Sequence, residues 1–180
     1  MDDPQTCIQR TRDWVEKAVV GLQLCPFAIP VHRAGLIRYQ VSEHTDIEGL
    51  LQDLEQALLE LQRLPAEQRE TTLLIHPRVL QDFHDYNDFL DQADALLELM
   101  DLQGELQIAS FHPQYRFAGT QPDDIENYTN RSPYPMLHLL REASISRAVD
   151  SALDADAISE RNIRTLQRLG HEGWNRLWQG

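Results

Sequence analysis

Short runs of β-forming residues alternate along this chain with longer stretches of helical periodicity, and that alternation restricts the fold more than any other feature. Residues 36–42 read LIRYQVS, residues 71–77 read TTLLIHP and residues 105–113 read ELQIASFHP. Between the first two, Ile47, Leu50, Leu51, Leu54, Leu58 and Leu61 recur at helical spacing; between the last two, Val79, Phe83, Tyr86, Phe89, Leu90, Ala93 and Leu97 do the same. Strands joined by crossover helices pair in parallel, with right-handed connections. The expected fold is a single α/β domain over residues 1–180, with a small three-stranded, largely parallel βαβαβ sheet flanked by helices. Strand order stays open, and the pattern leaves room for an additional antiparallel strand.

Local signals refine this. Ile37, Tyr39 and Val41 alternate with Arg38 and Gln40, as in a strand at a sheet edge with one wet face, whereas TTLLI suits a buried central strand. In the third strand Leu106, Ile108 and Ser110 face one way, and Ala109 and Phe111 the other. Thr45 and Glu48 have the spacing of a capping box, and Pro65 ends the helix that follows. An N-terminal helix is expected over residues 6–24, closed by Pro26 and Pro30. Residues 114–131 are polar and aperiodic; a loop of that length in a compact domain is functional or disordered, and Tyr115, Phe117 and Tyr128 favour an ordered one. Ser132 and Pro133 look like an N-cap and first helical position, so a helix is expected through Met136, Leu137, Leu140, Ala143 and Ala148. A last helix begins near Ala155, and Trp174 and Trp178 suggest that its end docks. The core is expected over about residues 6–149, with a helical tail over 150–180.

Sixteen basic side chains against twenty-nine acidic ones leave a net charge of −13, which argues against a broad basic face for nucleic acid. A small anionic ligand in a local basic pocket remains compatible with that balance. No basic-then-apolar leader is legible, nor a membrane-length apolar run, and the two cysteines are too few for a disulfide framework. The expectation is a cytoplasmic protein with reduced thiols and no membrane contact.

Two of the strands end in the same pair, His76–Pro77 and His112–Pro113. Ligand sites of open parallel sheets lie beyond the carboxyl ends of the strands. If the two strands were neighbours, these imidazoles would sit on backbones about 5 Å apart. His138 and Glu142, four residues apart on the expected helix, would share a face as two metal ligands or as a base and its orienting carboxylate. With His76 and His112 they would make a zinc or iron site. Asn130 and Arg131 precede that helix, where amide groups attract anions, and Arg116 and Arg141 would complete an anion clamp. Plainer readings compete: strand-end histidines bonded to loop carbonyls, Glu142 in a surface ion pair, arginines in ordinary salt bridges. Asp123 and Asp124 read as metal ligands or turn caps, and His84, Asp85, Asp88 and Asp91 as a solvated helix face.

The tetrapeptide CPFA at Cys25 resembles the active-site corner of omega-type glutathione transferases, which would imply thiol redox chemistry. Here the cysteine follows a helix, which does not activate a thiol, and a buried structural cysteine is the competing reading.

The segments GLQLCPFA, TTLLIHP, DYNDFL, ASFHPQYRFAG and NYTNRSPYPMLHLLREASI, spread over about residues 6–149, resemble the bacterial family called domain of unknown function 1415. The resemblance implies a bacterial cytosolic protein and assigns no catalytic residue. The functional expectation therefore rests on the residues. It is an enzyme, hydrolases included, acting on a small anionic metabolite through His76, His112, His138 and Glu142. Arg116, Asn130, Arg131 and Arg141 would bind the substrate, with or without zinc or iron. The alternatives are a metabolite-sensing or protein-interaction module and a thiol redox protein using Cys25.

Overall fold

The computed structural model describes residues 2–150 and 155–179. Helix α1 (Pro4–Trp14) starts on Asp3, whose carboxylate accepts from the Gln5 and Thr6 amides, with proline at its first position. It runs directly into a π-helical turn, Val15–Val20, and a short helix α2 (Ala28–Arg33) follows. The expected helix over 6–24 is therefore an α-helix continued by a π-helical turn that ends at Val20, and α2 lies beyond it. Pro30 lies in the first turn of α2, where proline is tolerated, rather than ending a helix.

Strand β1 (Ile37–Val41), helix α3 (Ile47–Arg63), strand β2 (Thr71–Ile75), helix α4 (Phe83–Leu99) and strand β3 (Leu106–Phe111) come in the expected order. Helix α3 is capped by Asp46, which accepts from the Gly49 amide, one residue later than the Thr45 box expected. Asp82 caps α4.

The chain then departs from expectation. After a 3-10 turn at Ile125–Thr129, residues read as helix form strand β4 (Met136–Arg141), and only then does helix α5 (Glu142–Asp150) begin. The sheet is four-stranded and mixed, ordered β1-β2-β4-β3, rather than three-stranded and largely parallel. β1 and β2 are parallel, and β4 runs antiparallel between β2 and β3. MLHLLR shows no alternation because both of its faces are covered, so its pattern looks helical. The overlooked signal is Pro133 and Pro135, each of which pushes the preceding residue into extended geometry. Ser132 does not cap a helix; its hydroxyl donates to the Tyr134 carbonyl. The role expected of Ala148 lies outside the described side chains.

A helical layer covers each face of the sheet. On one, Leu50, Leu54 and Leu58 of α3 with Tyr86 and Phe89 of α4 pack on Leu74, Leu137 and Leu139. On the other, Trp14, Val15 and Ala18 cluster with Leu73, Ile75 and Met136, joined by Leu166 and Trp174 of helix α6 (Ala155–Arg176). Burying such side chains is worth roughly 1.5–3 kcal/mol each, which is why both layers hold to the sheet. As the alternation implied, β1 is an edge strand and β2 is buried along its whole length. Among the described residues no helix is long and apolar enough to cross a membrane.

Candidate functional site

His76 and His112 are not on neighbouring strands, because β4 intervenes. Their rings nevertheless meet around Tyr86, stacked with His76 at 5.8 Å and tilted against His112 at 5.0 Å. Both histidines are fully buried. His76 Nδ1 lies 3.1 Å from the Val79 carbonyl, which only accepts, so Nδ1 carries the proton; Nε2 is buried with no partner among the described residues. His112 has the opposite tautomer: Nδ1 accepts from the Gln114 amide at 3.0 Å and Nε2 donates to the Leu80 carbonyl at 3.1 Å. Leu80 takes a left-handed φ of 58°, and this clasp helps to hold it there. Burial pushes the His76 pKa down to about 4, with a smaller push from His112, whose own pKa burial also lowers. The two rings are neutral at pH 7 and tie the connection between β2 and α4 to the strand ends. They do not line an accessible crevice.

Strand β4 places His138 between Leu73 and Ala109, on the opposite face of the sheet from that pair. It lines a cavity of about 310 Å³ walled mainly by apolar side chains, among them Trp14, Val15, Val31, Phe111 and Ile145. The Thr71 hydroxyl donates its single proton to the Leu139 carbonyl at 2.5 Å, so its oxygen must accept the bond from His138 Nε2 at 2.8 Å. The tautomer follows: Nε2 is protonated and Nδ1 bears a lone pair. No protein group among the described residues bonds that atom. Burial pushes the His138 pKa down to about 4, keeping the ring neutral. Cys25 lines the same cavity, and burial raises its thiol pKa, so it is protonated at pH 7. The π-helical turn contributes Val15 and Val19 to the wall; such turns concentrate at functional sites.

The other expected residues scatter. Glu142 does not share a face with His138, because one opens α5 and the other is on a strand; Glu142 lines a separate surface hollow with Asp94 and Gly104. Arg141 donates to the carbonyls of Leu61, Leu64 and Arg69 at 2.6–2.9 Å, capping the end of α3 rather than joining an anion clamp. Asn130 bonds the Ser110 carbonyl at 3.0 Å. Arg131 donates to the Tyr115 and Pro122 carbonyls and covers the Tyr128 ring at 4.4 Å. Arg116 shares one shallow cleft with Arg131, apart from Arg141. Asp124 accepts from the Gln121 amide at 2.7 Å, the turn-capping role. Among the described residues no three His, Cys, Asp or Glu side chains are grouped to hold a metal, so the three-imidazole zinc or iron set is not assembled. The separation has a simple cause: alternate faces of one sheet receive His138 and the His76–His112 pair.

Sequence reasoning overlooked three residues. Thr71 sets the His138 tautomer. The Tyr86 hydroxyl donates to the Met136 carbonyl at 2.8 Å and accepts from the Phe111 amide at 3.1 Å. Asn127, fully buried, accepts from the Phe117 amide and the Thr120 hydroxyl and donates to the Gln121 carbonyl, which orders the 114–131 loop. Only the loop carried a sequence signal, its aromatic content.

Comparison with curated proteins and with solved structures returns no match. A family model described as "Protein of unknown function (DUF1415)" does match, over residues 6–176, and since that is nearly the whole chain, the protein belongs to this family.

Proposed function

We propose that the protein binds a small, largely apolar organic molecule in the cavity lined by His138, and that a hydroxyl or N–H of this molecule donates to His138 Nδ1. The observation that carries the reading is the lone pair on Nδ1: a neutral imidazole, its tautomer set by Thr71, offers an acceptor unpaired among the described residues at a cavity walled mainly by apolar side chains. Cavities of this size, with few polar groups, are typical small-molecule sites. An apolar ligand suits this cavity better than the expected anionic substrate, because its wall is mainly apolar and Arg141 Nη2 there already serves three carbonyls.

A probe pair tests the reading. 2-Naphthol and naphthalene share an apolar body, and only the first can donate a hydrogen bond. Calorimetric titration of the full chain is expected to show saturable binding of both, with the naphthol favoured. His138→Leu should reduce the ratio of the two affinities by about fivefold to tenfold, the worth of one hydrogen bond. An unchanged ratio, or the absence of saturable binding by either probe, rejects the proposal.

A catalytic version of this reading is favoured by Cys25 on the same wall. His138, unprotonated at neutral pH, would then serve as the base toward a substrate proton. N-ethylmaleimide labelling of Cys25 in the presence of saturating 2-naphthol decides whether the thiol faces the ligand. Protection supports the version with Cys25, and an unaltered labelling rate removes Cys25 from it.

A further inference from the structure

A second cleft, of about 590 Å³, opens where α1, the π-helical turn, residues 128–133 and the end of α6 meet. It gathers Arg10, Lys17 and Arg131, contributed by three different segments, around Tyr128, Trp174 and Trp178. One acidic side chain, Asp13, lines it as well, and Arg10 also pairs with Asp2 at 2.8 Å. Three cations in one concavity stand out on a chain of net charge −13, and clefts concentrate the field of the charges that line them. The aromatic side chains form a connected wall: Trp174 meets Tyr128 edge-on at 5.1 Å and Trp178 at 5.7 Å, while the Arg131 guanidinium covers Tyr128. Trp174 is buried by this packing, whereas Trp178 keeps 39% of its surface exposed at the cleft. An exposed indole is a stacking surface, and its cationic neighbours supply charge-assisted donors.

We infer that this cleft is a ligand site for a planar aromatic anion, with the ring against Trp178 and the anionic head toward Arg10, Lys17 and Arg131. Two sources share that chemistry, nucleoside monophosphates and aromatic carboxylates. The site does not depend on the His138 cavity, although Trp14 walls both.

Calorimetry on the full chain separates the sources. The probes are AMP with adenosine and inorganic phosphate as its halves, and indole-3-carboxylate with indole. At least one anion should bind about tenfold or more tightly than its neutral counterpart, and AMP likewise more tightly than phosphate, with affinity falling as salt rises. AMP alone in that position makes the ligand a nucleotide; the carboxylate alone makes it an aromatic acid. Trp178→Ala should weaken the preferred anion by about fivefold or more, the usual effect of losing one stacking partner. Lys17→Gln should weaken it by a similar factor, and His138→Leu should leave it within twofold. The inference is overturned if neither anion exceeds its neutral counterpart, if phosphate alone binds as well as AMP and indole-3-carboxylate gains nothing over indole, or if Trp178→Ala, folded by circular dichroism, binds within twofold of the wild type.

Discussion

Replacing His76 with asparagine should change the acid sensitivity of the fold. The His76 ring is fully buried, donates from Nδ1 to the Val79 carbonyl and stacks on Tyr86. Its folded-state pKa, about 4, lies below the ordinary 6.5 of the unfolded chain. The unfolded state therefore takes up more protons between those two values, and stability, complete above about pH 6.5, is lost as the pH falls toward 4. Integrating that linkage from pH 8 to pH 5 gives a loss of about 2 kcal/mol from this one group. That is a large share of the roughly 5–15 kcal/mol that holds a domain folded. Few carboxylates confuse this window: the depressed pKa values of Asp3 and Asp82 act below 3.8, and the raised pKa of Asp94 works in the opposite sense. Asparagine keeps a donor near the Nδ1 position and does not titrate. Urea unfolding followed by tryptophan fluorescence at pH 8 and pH 5 is the assay. His76→Asn will cost stability at pH 8, through lost packing, but the gap to wild type should narrow by about 2 kcal/mol at pH 5. A gap that changes by less than about 0.5 kcal/mol would mean that His76 does not fold neutral, and the linkage argument fails.

Two further substitutions probe the scaffold behind the sites. Tyr86→Phe removes the hydroxyl that serves both the buried Met136 carbonyl and the partly buried Phe111 amide; calorimetry should register about 2 kcal/mol of destabilisation, or about 4–8 °C in Tm, and a shift within 1 °C would show that these groups find other partners. Arg141→Met withdraws the donor to three carbonyls at the end of α3; a loss of about 2 kcal/mol is expected, with faster amide exchange confined at first to residues 60–70, and unaltered exchange there would remove Arg141 from its capping role.

Sequence reasoning worked where local chemistry and burial agree. β1 alternates because one of its faces is wet, and β2, two threonines followed by an apolar run, carries no charged or wet position because both of its faces are covered; each was legible at its own position. The amphipathic stripes of α3 and α4 were equally plain. It failed at residues 132–141, where a serine–proline pair that imitates a helix start precedes an apolar run with no period of its own. That single misreading moved His138 and Glu142 onto one helix face and joined His138 to His76 and His112. The strand-end histidines did come together, but around Tyr86 and inside the core, a role their position in the chain does not distinguish from an exposed one.

The order of elements from β1 to β3, the two crossover helices, the buried middle strand and membership of the family were written in the amino-acid sequence, because periodicity and motif are local properties of the chain. The insertion of β4 between β2 and β3, the sheet face that each imidazole occupies and the tautomer each ring adopts were decided by tertiary structure alone. Those depend on which carbonyl, hydroxyl or indole from a remote segment lies within a few ångströms. For His138 it is the Thr71 hydroxyl, 67 residues away along the chain, that leaves Nδ1 open to a ligand.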